Sequence, residues 1–244
     1  MKLLNKMPCN HPNIKNRQIF LKSCGISPAR TISAGIAHSN DIFVAREKDA
    51  GKIIAGVDGL ITREHNLFLS VTTADCLPIF LFEPKKEIVG MVHAGWRSLE
   101  KDIIANAIDK IKKLGGNLKD ILVGIGPAIC QKHYEVGPEV AEKFAKYAEA
   151  LKKERDKMYL DLKKIAQFQL MKTGLAENNI EISPECTFEL PEKYFSARRD
   201  LPLTNCPMDN NIQAKSNNRL HSHQLVRGKP AEIEAVMAVV GLKS

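Results

Sequence analysis

The sequence predicts an α+β fold of layered α/β/β/α type, with mixed, partly antiparallel sheets covered by helices in a single domain over residues 1–244. Three observations carry this. Short β-branched runs follow one another at 67–72, 77–82 and 88–93 with no helix between them, which favours antiparallel pairing over a regular βαβ alternation. Other segments repeat apolar residues at helical spacing. No Pro/Gly/Ser-rich linker divides the 244 residues.

Taken in order, Asn16 to Cys24 reads as a short helix ended by Gly25. Strands are expected near Thr31–Ala37 and Asp41–Ala45. The three runs at 67–93 have the apolar character of strands buried on both faces, and Pro84-Lys85-Lys86 turns the chain between the last two. From Ser98 to Leu114, apolar residues at 99, 103, 104, 107, 108 and 111 predict a helix with Ser98 as N-cap and Gly115-Gly116 as its stop. Ile121 to Ile125 is a further buried strand, stopped by Gly126-Pro127. Pro138 opens a long helical segment to about Lys157. Asp161 caps a second helix, Leu162 to Thr173, which Gly174 ends. Glu181-Ile182 is a short strand, 205–218 an Asn-rich loop, and 236–240 a β-like run.

Composition narrows the function. The net charge is +8, but the lysines fall on stretches such as 143–157 with Glu149, Glu154 and Asp156 among them, which reads as a solvated helix face. No basic stripe interleaved with aromatics is present, so nucleic acid is not an expected partner. No run approaches the ~20 apolar residues of a membrane span, and residues 1–8 make a poor signal peptide, so neither a membrane nor secretion is expected and the cytoplasm is the expected location. The six cysteines form no CxxC pair and are expected to be reduced. A nucleotide P-loop and a dinucleotide glycine fingerprint are absent.

The chemistry-bearing residues cluster. Cys76, in Thr72-Thr73-Ala74-Asp75-Cys76-Leu77-Pro78, and His93, in Val92-His93-Ala94-Gly95-Trp96-Arg97, lie at expected strand ends beside the single Trp. The pair supports a metal site, a nucleophilic Cys/His couple, or a buried thiol near a core imidazole. Asp75 is positioned to orient Cys76 or to act as general acid/base. Arg97 opens the helix after His93, and Arg198-Arg199 forms a second basic pair; both are candidate phosphate sites. Trp96 is a candidate wall or stacking surface for a base. Cys130 and His133 invite a second metal reading, but one Cys with one His is too few ligands. His221 and His223 fall in a polar tail.

These segments resemble the laccase-domain, or polyphenol oxidase-like, family, whose bacterial members are regarded as purine nucleoside phosphorylases. Thr-Ala-Asp-Cys-Leu-Pro and His-Ala-Gly-Trp-Arg are joined by Gly126-Pro127-Ala128-Ile129, Tyr134-Glu135-Val136-Gly137 and Phe195-Ser196-Ala197-Arg198-Arg199-Asp200, and upstream by Ala37-His38-Ser39 and Val57-Asp58-Gly59-Leu60. The matches run in the family's order over about residues 31 to 200. The resemblance implies a metal held by His38, Cys76 and His93. Two imidazoles and one thiolate suit Zn²⁺, or copper, and three protein ligands leave a fourth position open. It further implies phosphate-driven cleavage of adenosine, inosine, guanosine and methylthioadenosine, with adenosine deamination. Multicopper chemistry needs more histidines than the seven present. The chain departs from the pattern in two places. It begins close to the match at Asn16-Arg17, without the Gly-Val-Ser-containing stretch of relatives, and Ser98 stands where they usually carry Gly, a side chain expected to narrow the phosphate approach.

Overall fold

The computed structural model describes residues 7–9, 14–201 and 233–242. In chain order its elements are β1 (Met7–Cys9), α1 (Ile14–Ser23), β2 (Thr31–Gly35), β3 (Ile42–Val44), β4 (Ile53–Ala55), β5 (Gly59–Thr62), β6 (Phe68–Thr73), β7 (Leu77–Glu83) and β8 (Ile88–Ala94). There follow α2 (Trp96–Glu100), α3 (Ile103–Lys113), β9 (Leu122–Ile125), β10 (Glu135–Val136), α4 (Pro138–Lys143), β11 (Leu151–Glu154), β12 (Lys157–Leu160), α5 (Leu162–Lys172), β13 (Ile180–Ile182), α6 (Ala197–Asp200) and β14 (Ile233–Gly241).

Among the described residues these strands form two large sheets and one small one. The larger has the order β13-β9-β7-β8-β5-β3, with the central β9-β7-β8-β5 run antiparallel and both edge pairs parallel. The second has the order β1-β14-β6-β2-β4, where β2 is parallel to both neighbours and β14 is antiparallel to β6. The expected mixed α+β layering is what the chain adopts. Alternation along β8 explains it. Ile88 and Val92 enter one core with Ile104, Ile108, Ile111, Ile165 and Leu170 of the helices α3 and α5, while Val89 and Met91 enter another with Ile32, Leu69 and Val71 of the facing sheet. On the far side of that sheet, Arg17 of α1 donates to the Thr72 hydroxyl.

Two expectations fail for identifiable reasons. The helix over 98–114 is broken in two, because Asp102 takes a left-handed conformation (φ 58°) between α2 and α3. Ser98 is therefore not the N-cap. Gly95 holds that place, and Ser98 lies inside α2, fully buried, with no hydrogen-bond partner for its hydroxyl among the described residues. Its side chain points into the core and does not narrow the cleft. The long helix from Pro138 also fails. It stops at Lys143, continues as a 3₁₀ stretch over Ala145–Ala150, and gives way to the β11–β12 hairpin, whose turn places Arg155 at φ 53°. Lys152, Lys153 and Lys157 thus ride on a small sheet, β10-β12-β11, rather than on a helix face. The loop at 205–218 and the histidines at 221 and 223 lie outside the described residues. No helix among the described residues is long and apolar enough to cross a membrane.

Candidate active site

All three proposed ligands lie at or just beyond the C-terminal ends of strands of the two large sheets. His38 comes three residues after β2, Cys76 three after β6, and His93 is the penultimate residue of β8. The strand pairing differs from the simplest expectation, in which the strands before Cys76 and His93 are neighbours. β6 belongs to the other sheet, and the two side chains meet through the β7–β8 hairpin, where Pro78 stands opposite His93. The donor atoms of His38, Cys76 and His93 lie within 4.8 Å of one another, and the two imidazoles meet edge to face at 5.1 Å.

Asp58 organises this triplet. Its buried carboxylate accepts the backbone N–H groups of Ala37, His38 and Ser39 and the Ser39 hydroxyl, which holds His38 at a left-handed φ of 52°. The same carboxylate takes the Nδ1 hydrogen of His93 at 2.8 Å, leaving Nε2 to face the sulfur. The Asp58 carbonyl also accepts from the His93 backbone. Burial favours a neutral Asp58, but His93 and these donors hold its pKa down at about 2. Burial alone would raise the Cys76 thiol, yet His93 and His38 bring it to about 7. Burial likewise opposes a charged His93, and the Cys76 sulfur and Asp58 outweigh it, raising the imidazole to about 9. Both shifts favour the thiolate–imidazolium form of the pair over the thiol–imidazole form.

The residues fit a metal ion on three grounds. The donors are two imidazoles and a thiolate at mutual reach. The second nitrogen of His93 is held by a carboxylate, the arrangement that orients metal-bound histidines. Gly95 leaves open the space before them, since a Cβ there would stand 2.9 Å from the Cys76 sulfur and 3.3 Å from the His38 ring.

His38 and Cys76 of the triplet line a cleft of about 730 Å³, while His93 is buried beside them. Trp96 and Arg97 form one wall, with the Arg97 guanidinium stacked 4.3 Å from the Trp96 ring centroid. Lys153, Lys157 and Met158 of the small sheet also line the cleft, as do Tyr134 and Arg198. The Arg198 guanidinium lies 5.1 Å from the Tyr134 ring and donates to the Glu135 carbonyl. Arg97 and Arg198 therefore share the cleft with His38 and Cys76. Arg199 does not line it. Its guanidinium is spent on the carbonyls of Thr187, Phe188 and Tyr194 and on Asp200, so it fastens the loop that carries Arg198.

Asp75 lines the floor of the cleft, and burial raises its pKa. Its oxygens accept from the Thr187 and Ser196 hydroxyls and from the Arg198 backbone N–H. That engagement positions Arg198 across the cleft.

Asp58 and the hairpin wall are the parts that residue-by-residue reasoning passed over. Asp58 lay inside a quoted motif, but no spacing rule marks an aspartate that binds through the tertiary fold. Lys-rich 151–160 carries no apolar alternation strong enough to signal a hairpin.

Residues 11–204 match the family described as multi-copper polyphenol oxidoreductase laccase. The chain belongs to that family. It is 31% identical over 200 residues to the Bacillus subtilis purine nucleoside phosphorylase YlmD, covering 77% of this chain and 72% of that protein. It is 33% identical over 181 residues to adenosine deaminase RL5 from an unknown prokaryotic organism, covering 71% and 69% respectively. Among solved structures, YlmD from Geobacillus stearothermophilus superimposes with a TM-score of 0.78 at 26% identity, over 95% of this chain and 80% of that one.

Proposed function

We propose that this family member is a cytoplasmic, metal-dependent purine nucleoside phosphorylase in a single domain. It cleaves adenosine, inosine, guanosine and methylthioadenosine with phosphate to free base and the corresponding ribose 1-phosphate, and it deaminates adenosine as a second reaction. The observation that carries this reading is an oriented His38–Cys76–His93 triplet whose His38 and Cys76 share one cleft with two aromatic rings and two arginines. The phosphorylase and deaminase names of the relatives support it.

His38, Cys76 and His93 would hold Zn²⁺, with copper the alternative; the ion would supply a Lewis acid with an open position facing the cleft. Arg97 and Arg198 bind the phosphate dianion, and their planar donor forks orient one oxygen toward C1′ of the ribose. That oxygen bonds to C1′ as the C1′–N9 bond breaks, the bonding pair leaves with the purine, and a proton reaches the departing base. The sugar carries oxocarbenium-like charge at this point, which the bound phosphate offsets. Trp96 and Tyr134 exclude water and offer ring faces to the purine. Asp58 keeps His93 in one tautomer, and Asp75 positions Arg198 rather than touching substrate. In deamination, water adds to the purine carbon bearing the amino group and ammonia leaves, giving inosine.

The test is to incubate the protein with adenosine and phosphate, with and without chelator, and to follow adenine, inosine and ribose 1-phosphate. Chelator-sensitive ribose 1-phosphate is expected, equal to the sum of adenine and hypoxanthine released. Absence of turnover, or undiminished turnover by Cys76→Ala, would overturn the reading.

A second reading has one specific observation in its favour. Cys76, His93 and Asp58 are joined in a row, as nucleophile, base and orienting acid are in a cysteine hydrolase. Metal analysis separates the two, because a hydrolase needs no ion at Cys76.

A further inference from the structure

A second group of sulfur and nitrogen donors lies outside the cleft. Cys130 ends the loop after β9, His133 sits on the next 3₁₀ turn (Gln131–His133), and Cys186 follows β13. From sequence, Cys130 and His133 made too few ligands; the fold adds Cys186 from 53 residues beyond His133. The His133 Nδ1 lies 3.3 Å from the Cys130 sulfur and 3.9 Å from the Cys186 sulfur, and all three donor atoms fall within 4.8 Å of one another. Donors around a tetrahedral zinc, with sulfur at about 2.3 Å and nitrogen at about 2.05 Å, stand about 3.5 Å apart. The observed spacings bracket that value.

Three further features look built. The Cys130 backbone N–H donates to the Cys186 sulfur at 3.2 Å, which fixes that sulfur's direction and suits a thiolate. Phe188 stacks on the His133 ring at 4.3 Å and 12°, which fixes the imidazole plane. The Glu189 carboxylate lies 3.6 Å from His133 Nδ1 and 3.6 Å from Lys132 Nζ, outside the three-donor group, and would supply a fourth donor by turning inward. None of these residues lines the cleft, so a fourth protein ligand would close the coordination sphere and make the site structural rather than catalytic.

We propose that Cys130, His133 and Cys186, completed by Glu189, form a second, structural zinc-type site that ties the loop after β9 to the 183–189 segment. Both tied segments reach the cleft. Tyr134, a wall residue, follows His133, and Thr187, which donates to Asp75, follows Cys186. The site is independent of the proposed reaction.

The test uses Co²⁺ as the probe on the full reduced chain carrying Cys76→Ala, so that the cleft triplet cannot supply a thiolate. One equivalent should bind with near-ultraviolet thiolate-to-cobalt absorption and strong tetrahedral visible bands. Adding Cys130→Ala or His133→Gln should weaken binding at least 100-fold. Zinc should also slow alkylation of Cys130 and Cys186 in the Cys76→Ala chain at least tenfold, and chelator should restore it; this readout needs no further variant and survives a folding failure of either double variant. Weak, octahedral-type bands, a spectrum unchanged by Cys130→Ala, alkylation rates indifferent to zinc, or a Cys130–Cys186 disulfide in protein purified under reducing conditions would each overturn the proposal.

Discussion

The two sulfur–imidazole clusters make an instructive pair. Each gathers three donors within 4.8 Å from distant parts of the chain. At the first, His38, Cys76 and His93 stand at strand ends between the large sheets, Asp58 orients two of them from behind, and Gly95 keeps the front clear. At the second, Cys130, His133 and Cys186 sit on loops, Phe188 covers one face, and a carboxylate closes in at the side. The donor sets are nearly alike. Their surroundings differ: one opens onto a large cleft, and the other ties two loops together. An open position, not ligand identity, is what separates a site that does chemistry from one that holds structure.

The comparison can be broken by substitution. The largest effect is expected from Cys76→Ala, which removes a ligand at the open site. Phosphorolysis should fall by roughly a thousandfold in kcat/KM, on the order of 4 kcal/mol of transition-state stabilisation, as measured by ribose 1-phosphate release. Asp58→Asn keeps the three ligands but disturbs the tautomer of His93 and the turn at His38. Loss of a residue that orients a metal ligand typically costs about 10- to 100-fold, so metal affinity by competition with a chromogenic chelator should drop by that much. Arg198→Met should raise KM for phosphate about tenfold, or 1.4 kcal/mol, with a smaller change in KM for the nucleoside. If both constants moved equally, Arg198 would be holding the cleft wall rather than the anion.

Acid stability sharpens the comparison further. Asp58 is held at about 2 against 3.8 in an unfolded chain. The unfolded state therefore takes the proton first, and the stability due to Asp58 is complete above about pH 4 and lost as the pH falls through about 2. Denaturant titrations of metal-free protein across that window should show the loss, and Asp58→Asn should flatten it. The smallest effect on catalysis is expected from Cys130→Ala. Turnover should fall less than threefold at 25 °C while the melting temperature drops by several degrees, because only the loop tie is lost.

Much of this was legible in the sequence, for physical reasons that also explain the failures. The central strands could be read because burial on both faces demands unbroken apolar runs, and α3 because Ile103, Ile104, Ala107, Ile108 and Ile111 keep helical spacing. Asp161 announced α5, and its side chain does accept from the Lys164 backbone. The segment 144–160 misled because lysine and glutamate suit an exposed helix and an exposed hairpin alike. At the cleft site, the motifs singled out His38, Cys76 and His93, and the fold brings them together. Asp58 and Cys186 were beyond reach, since both act on partners 20 to 56 positions away.

The central claim is that phosphorolysis takes place at the open triplet and needs one ion there. Its most direct test is to strip the protein of metal and add Zn²⁺ back to the Cys130→Ala chain, where only the cleft site remains, while following inosine phosphorolysis. Activity should rise linearly and plateau at one equivalent per chain, with no recovery when Cys76→Ala is added. Full activity in the stripped protein, or recovery that persists without Cys76, would contradict it.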